Sequence, residues 1–267
     1  SKFAGDFLFD MQMPDDTHTS MKWSTQISTD ADIEKVGQML EEGLKQGALG
    51  IGHCPGYMEF GVTQRESNLA QELAGKYKTF IAMHGRYSSQ MPPASGLLGN
   101  AEQMAAQAVY GGGLVIQHMT AQTLAETKAA QAIIDEAASK GIPVISEIYG
   151  YTYGATIVSA DYLHPDNYQN NMGRDYKDII NLTDMHPLTR ETNEQLFETA
   201  PGTNVTFENA SKEDLYWALA HPTSIIGTEA FPYLSNETGK FVQDWDTPYE
   251  SVGSHPRGAG THARILR

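Results

Sequence analysis

The sequence predicts an α/β barrel of the (β/α)8 type, in which parallel strands alternate with helices. Two observations favour this fold class. Short apolar runs recur about every thirty residues, which is the length of one strand-and-helix unit. A polar or titratable residue closes most of these runs, although a buried parallel strand is normally an uninterrupted apolar stretch. Barrel enzymes carry their chemistry at the ends of the strands, so these residues are candidates for a site.

The apolar runs are the predicted strands. The first four are GALGIGHC ending at Cys54, TFIAMH ending at His84, LVIQH ending at His118 and PVISE ending at Glu147. NVTFEN (204–209) and SIIGTE (224–229) continue the pattern, and FLFDM near the start is a weak further candidate. A closed barrel needs more strands than these. We therefore expect the remaining segments to lie outside this sequence or to come from another chain, such as a second copy in a homo-oligomer.

Helical patterns fill the intervals between the strands, at residues 30–46, 63–76, 100–111, 121–140 and near 211–220. The segment 121–140 is rich in good helix formers and is followed by Gly141, a stop signal. Between residues 149 and 187 the rhythm is lost and the chain is rich in Tyr, Asn, Asp and Gly. Long loops in compact domains are commonly lids or binding segments. We predict one barrel domain over residues 1–267, with an excursion covering its mouth at about 149–187.

The composition argues against several classes of partner. The chain has 267 residues, is 40% hydrophobic and carries a formal charge of -15, which repels nucleic-acid backbones and anionic membranes. The single cysteine, Cys54, excludes an internal disulfide. No apolar stretch reaches membrane-spanning length, and the first residues lack the basic and apolar segments of a signal peptide. Localisation stays open between cytoplasm and periplasm.

The candidate site rests on His84, His118 and Glu229. The two histidines end consecutive predicted strands, so a barrel would project both into one pocket, where neutral imidazoles bind divalent metal ions well. Either histidine alone would more simply be a satisfied core residue, but the pair with a following acid favours a site. Glu229 could be a metal ligand, a general base on a water molecule, or the partner of a nearby cation.

Other strand ends and loops offer weaker candidates. Glu147 could support the site or form a structural salt bridge, and His53 with Cys54 is more simply a loop histidine beside a small buried thiol. Arg257, in the loop HPRGAG, could clamp a carboxylate because a planar guanidinium binds both oxygens at once. An ordinary surface arginine is the alternative. No Walker loop, dinucleotide fingerprint or GxSxG elbow is present.

Taken in order, GALGIG, PGY, MHGRY, IQHM, EIYGYTYGAT, IGTEAF and HPRGAGTHAR resemble the D-aminoacylase (N-acyl-D-amino-acid deacylase) branch of the amidohydrolase superfamily. The order and spacing of these segments carry the resemblance, which covers nearly the whole chain. It implies a metal-dependent barrel that hydrolyses the amide of N-acyl-D-amino acids with one or two divalent ions, usually zinc. A small-molecule N-acyl amino acid would then be the partner.

The resemblance also implies roles for six residues. His84 and His118 fall on the family's metal histidines, and Glu229 falls on the aspartate that acts as acid and base on the attacking water. Tyr57, Tyr149 and Arg257 fall on the groups that hold the substrate carboxylate.

The chain departs from the family pattern at several of these points. Glu229 is one methylene longer than the family's aspartate, and a displacement of about an ångström can cost on the order of a hundredfold in rate. Thr120 replaces a lysine and Ala155 replaces a serine, so we expect a different substrate preference. The family's early H-x-H pair and its cysteine ligand have no counterpart in this sequence. Three hypotheses result: an N-acyl-D-amino-acid deacylase, a cyclic-amide or dipeptide hydrolase of the same superfamily, and a metal-free barrel subunit without catalysis.

Overall fold

The computed structural model of the protein describes residues 26–266, apart from residues 60, 92, 93, 231, 232, 243, 245 and 254. The weak candidate strand FLFDM lies outside these residues. Strands are labelled in chain order: β1 Gly50–His53, β2 Phe80–Met83, β3 Gly113–Ile116, β4 Val144–Ile148, β5 Tyr153–Ile157, β6 Ile179–Asn181, β7 Asn204–Glu208, β8 Ser224–Ile226, β9 Leu234–Ser235 and β10 Val252–Gly253.

A parallel sheet of five strands, in the order β1, β2, β3, β4, β8, is the main element of the fold. Its strands are short and apolar, and equivalent positions are in register, so that Ile81 pairs with Ile51 on one side and with Leu114 on the other. Both Ile81 and Leu114 are buried in the core beneath the sheet. The predicted α/β fold is therefore confirmed, and the described residues supply part of a barrel wall.

The strands of this sheet alternate with helices that pack against them, namely α2 Gln64–Lys76, α3 Gly96–Tyr110, α5 Thr127–Ser139 and α8 Lys212–Leu219. The other helices in the described part of the chain are α1 Asp30–Lys45, α4 Met119–Thr123, α6 Tyr168–Met172, α7 Arg190–Thr199 and α9 Arg257–Ile265. The start of α1 is fixed by a capping box in which the Thr29 side chain accepts a hydrogen bond from the Asp32 backbone N–H. No helix in the described part of the chain is long and apolar enough to cross a membrane.

The predicted helix at 121–140 is interrupted. It begins earlier, as α4, and passes through a 3-10 turn at Leu124–Glu126 before continuing as α5. The Thr123 hydroxyl donates to the Met119 carbonyl and the Thr127 hydroxyl donates to the Leu124 carbonyl. Such side-chain bonds compete with the backbone ladder of a helix, which is why helix formers alone did not predict the break.

The assignment of NVTFEN to the barrel wall is wrong. This segment forms β7, the central strand of a separate antiparallel sheet in the order β5, β7, β6. Strands β5 and β6 belong to the excursion predicted at 149–187, which is therefore structured rather than an irregular loop. A short apolar run carries no information on which sheet it joins, and β7 finds its partners in the segment immediately before it.

The antiparallel sheet has its own hydrophobic core. Buried side chains of the excursion pack with those of β7 and with Leu124. Tyr57, from the loop after β1, packs against this second core although it follows a strand of the parallel sheet. The second core therefore holds the excursion against the loops that end the parallel strands.

Two helical glycines give a matched test of the packing between α2 and α3. A Cβ atom on Gly75 would lie 2.0 Å from the Tyr110 carbonyl oxygen, whereas one on Gly43 would meet nothing within 4 Å. We expect Gly75→Ala to lower the free energy of unfolding by about 1–3 kcal/mol, because backbone must move. Gly43→Ala should raise it by roughly 0.5–1 kcal/mol, since alanine favours the helix. Urea unfolding measures both, and equal stability of the two variants would contradict the packing described.

Candidate active site

A cavity of about 260 Å³ lies where β2 and β3 end. Its wall brings together side chains from loops of the parallel sheet, from the antiparallel sheet and from α9. All six residues singled out from the sequence line this one cavity: Tyr57, His84, His118, Tyr149, Glu229 and Arg257. The structure therefore places the predicted residues together, while the role of each stays a prediction.

His84 and His118 project from neighbouring strands. His84 directly follows β2, and His118 lies two residues beyond the end of β3, with which β2 pairs. Their ring centroids are 4.4 Å apart and the rings meet edge to face. Only 8% of His84 and 6% of His118 is exposed, so both imidazoles are removed from bulk water.

Burial sets the protonation of this pair. It lowers the pKa of His118 to about 3, with the positive charge of Arg257 acting in the same direction. Burial also lowers the pKa of His84 well below its usual value, and neighbouring His118 adds to the effect. Both rings are therefore neutral at physiological pH, which is the form that coordinates metal ions.

The donor atoms of the two histidines fit part of a metal site. His84 Nε2 and His118 Nδ1 are buried without a hydrogen-bond partner in the described residues. Within the same residues, no group of three or more His, Cys, Asp and Glu side chains is arranged to hold an ion. The histidine pair therefore fits as two ligands of a divalent ion, not as a complete set.

His53 and Cys54 do not extend this ligand set. His53 Nε2 is hydrogen-bonded to the Ser67 hydroxyl over 2.9 Å. Burial, together with the negative charge of Glu229, raises the pKa of the Cys54 thiol to about 12. Neither residue is part of the cavity wall, so the structural interpretation of this pair is the one that the geometry favours.

Glu229 lies in a loop rather than at the end of a strand. Strand β8 ends at Ile226, so the expectation that Glu229 closes the strand is wrong. Its Oε2 lies 3.8 Å from His118 Nε2, which is longer than a hydrogen bond. Glu229 and His118 both have a positive φ, of 49° and 35°, which is uncommon for residues other than glycine. Such backbone strain clusters at functional sites.

Glu147 is a buried carboxyl group of the parallel sheet. It lies within β4, is 9% exposed and is not part of the cavity wall. Burial, with the negative charge of Glu229, raises its pKa to about 7. The described residues provide it with no ion pair within salt-bridge distance, so the structure does not favour the structural salt bridge considered from the sequence.

Arg257 supplies a buried positive charge to the cavity. It is the first residue of α9 and is 4% exposed, so it is not an ordinary surface arginine. Its guanidinium lies 4.9 Å from the centre of the Tyr149 ring, and Nη2 donates to the Ala155 carbonyl over 3.3 Å. The Arg257 backbone N–H donates to His255 Nδ1, and burial lowers the pKa of His255 to about 4. This arrangement fits recognition of an anionic group.

The sequence did not single out several residues of the cavity wall. Tyr162 lies 6.0 Å from Tyr57 and 5.8 Å from Phe207, as measured between ring centres, so the three rings form an aromatic wall near His84. Asn209 had a signal, because it ends an apolar run as His84 does. Tyr162 had none, since its place depends on how the excursion folds. The other wall residues not anticipated are Ser88, Ala121, Gln122, Gly154 and Ala230.

The structure is similar to solved structures of N-acyl-D-amino-acid deacylases. One is the N-acyl-D-glutamate deacylase from Bordetella bronchiseptica, complexed with zinc and a phosphonate mimic of the tetrahedral intermediate (TM-score 0.67, 18% identity, 91% of this chain and 48% of that chain). Another is a D-aminoacylase described as defining a novel subset of amidohydrolases (TM-score 0.67, 17% identity, with the same coverage). A third is a D-aminoacylase with a binuclear metal centre (TM-score 0.66, 15% identity, with the same coverage).

These similarities concern the fold, because the identities are low. The chain spans about half the length of the structures that it matches. No protein-family profile matches the sequence, and no curated protein matches it. The sequence resemblance and the structural similarity point to the same proteins, and what the similarity shows is that this chain is alike in fold to about half of each of these structures.

Proposed function

We propose that the protein is a metal-dependent amidohydrolase that hydrolyses the amide bond of N-acyl-D-amino acids. The observation that carries this proposal is the convergence of two neutral imidazoles, one carboxylate and one buried guanidinium on a single cavity. The zinc in the Bordetella bronchiseptica deacylase and the binuclear centre of the D-aminoacylase support the choice of a divalent ion. The third hypothesis, a barrel without catalysis, gives no reason for buried imidazole nitrogens to be left unpaired.

His84 and His118 would hold the ion through their unpartnered nitrogens. A divalent ion held there would supply Lewis acidity toward an amide carbonyl and toward a nearby water. Only these two ligands of the ion are assigned, because the described residues offer no group of three or more His, Cys, Asp and Glu side chains that could hold it. The short distance between the rings and their neutral state are the features that suit them to this role.

Glu229 would be the general base and then the general acid. Its carboxylate takes a proton from the attacking water while the water oxygen bonds to the carbonyl carbon. When the C–N bond breaks, Glu229 returns that proton to the leaving nitrogen, and the products are a carboxylic acid and a D-amino acid. The gap of 3.8 Å between Glu229 and His118 keeps the carboxylate close to the histidine pair without tying it into a hydrogen bond.

Arg257 would bind the carboxylate of the substrate, as the resemblance implies. The guanidinium is fixed by the Tyr149 ring and the Ala155 carbonyl, so little side-chain freedom is lost on binding. Its Nε is buried without a partner in the described residues and is one donor that a ligand oxygen can satisfy. Tyr57 and Tyr149 complete this side of the cavity.

A panel of N-acetyl-D-amino acids, their L-enantiomers, cyclic amides and dipeptides, assayed with zinc, tests the proposal. We expect turnover of the N-acetyl-D-amino acids. Arg257→Ala should raise KM by roughly tenfold to a hundredfold, because it removes a charged hydrogen bond to the substrate.

Arg264→Ala is the matched control for this variant. Arg264 is also on α9, and its guanidinium lies 4.8 Å from the Tyr151 ring, outside the cavity wall. It should leave KM unchanged. Turnover of cyclic amides or dipeptides alone would favour the second hypothesis, and zinc-loaded protein with no hydrolysis of any substrate would contradict an amidohydrolase.

A further inference from the structure

Asn209 is held in one orientation in the wall of the cavity. It directly follows β7, is 1% exposed, and its backbone N–H donates to the Thr152 carbonyl over 2.9 Å. Its side-chain Nδ2 donates to the Tyr149 hydroxyl oxygen over 2.7 Å. Backbone and side chain are thus both anchored, which fixes the direction of the remaining polar atom, Oδ1.

Asn209 Oδ1 is an unused acceptor. It is buried and has no hydrogen-bond partner in the part of the chain that the structure describes. A buried carbonyl oxygen without a donor lowers stability, because it has lost its bonds to water and gained none. A ligand that brings an N–H group to this atom would recover that loss.

The backbone near Asn209 leaves room for this arrangement. A Cβ atom on Gly154 would lie 2.4 Å from Asn209 Nδ2 and 3.2 Å from the Tyr149 hydroxyl. Any larger residue at this position would therefore push the amide away from the phenol. Glycine at position 154 is required for the contact between Asn209 and Tyr149.

Asn209 and Arg257 meet on the same phenol. Asn209 donates to the oxygen of Tyr149, and the Arg257 guanidinium lies over its ring. A neutral acceptor and a cation are therefore close to each other in the cavity wall. In an N-acyl amino acid the amide N–H and the carboxylate are attached to the same carbon atom, so one small molecule presents a donor and an anion close together.

We propose that Asn209 Oδ1 accepts a hydrogen bond from the amide N–H of the bound substrate and that the site thereby selects secondary amides over esters. This inference rests on the proposed function, since it names a substrate-binding residue and a specificity of the same cavity. No charge or bond changes at Asn209, so its effect is on binding and discrimination rather than on the proton transfers assigned to Glu229.

Binding to the protein without added metal tests the inference separately from catalysis. The two probes are N-acetyl-D-leucine and O-acetyl-D-leucic acid, which differ in having N–H or oxygen at one position. Calorimetry should show the amide binding roughly tenfold to a hundredfold more tightly than the ester to the unmodified protein. In Asn209→Ala this ratio should fall to about one, mainly through weaker binding of the amide.

Asn193→Ala is the matched control. Asn193 is also fully buried with an unpartnered Oδ1, and its Nδ2 donates to the Leu163 carbonyl, but it lies outside the cavity wall. It should keep the original ratio. The comparison of the amide and ester probes on unmodified protein needs no variant, so it still tests the proposal if Asn209→Ala does not fold.

The outcomes separate the two proposals. Equal binding of amide and ester by the unmodified protein, or an unchanged ratio in folded Asn209→Ala, overturns the role of Asn209 and leaves the hydrolase proposal standing. Binding of neither probe overturns both proposals, because the cavity then does not recognise N-acyl amino acids.

Discussion

Glu229→Gln is expected to reduce kcat for an N-acetyl-D-amino acid by roughly a hundredfold to ten-thousandfold. The amide of glutamine keeps the size of the side chain but cannot accept the proton of the attacking water. KM should change little, because the carboxylate of the substrate is assigned to Arg257. Steady-state kinetics with zinc-saturated protein measures the effect, and metal content measured in parallel separates lost catalysis from lost metal.

Glu229→Asp sharpens this test. The shorter side chain restores the residue type of the family but withdraws the carboxylate from a cavity that is built around glutamate, where Oε2 lies 3.8 Å from His118 Nε2. We expect an intermediate kcat, reduced by on the order of a hundredfold at most, since a base displaced by about an ångström still functions. Unchanged turnover in Glu229→Gln would remove Glu229 from the mechanism, whatever Glu229→Asp does.

The variants His84→Ala and His118→Ala are each expected to lose most of the bound divalent ion and at least a hundredfold of the turnover. Each variant removes a neutral ligand nitrogen that no described side chain replaces. Mutation of a residue that only hydrogen-bonds to a metal ligand typically weakens metal binding about ten- to a hundredfold, so loss of a ligand itself should weaken it at least as much. Elemental analysis after zinc loading and dialysis measures the ion, and thermal unfolding checks that the chain still folds.

His186→Ala is the control for both histidine variants. His186 is exposed, its Nδ1 contacts the Asp184 backbone oxygen, and it lies outside the cavity wall. It should keep the metal content and turnover of the unmodified protein. Full zinc uptake by a protein that lacks both His84 and His118 would show that the ion is bound elsewhere, and the proposed site would be wrong.

The local rhythm of the sequence predicted the parallel sheet well. Strands β1 to β4 and β8 were predicted from apolar runs, and α1, α2 and α8 lie within one or two residues of the helical patterns. Residues that are buried by their immediate neighbours leave a periodic signal in the chain. The same reasoning failed for NVTFEN, because an apolar strand looks alike in a barrel wall and in a separate antiparallel sheet.

The candidate site was predicted unevenly for a related reason. His84 and His118 interrupt apolar runs at a fixed place, so their sequence signal is local and their proximity follows from the pairing of β2 with β3. Tyr57 and Tyr149 were identified only through the resemblance to a family, whereas Arg257 was also a candidate by its own chemistry, as a guanidinium able to bind a carboxylate. Tyr162 gave no signal at all, because it reaches the cavity through the fold of the excursion.

The sequence alone determined that this protein alternates strands and helices, and that His84 and His118 follow two neighbouring strands of the parallel sheet. Tertiary structure alone decided that the excursion forms a second sheet with its own core and that Asn209, Tyr149 and Arg257 meet beside the histidines. The physical reason is the separation along the chain of the residues that are in contact. Periodicity records the burial of a residue by its neighbours along the chain, whereas the contacts of the cavity join segments far apart in sequence, whose packing no local pattern encodes.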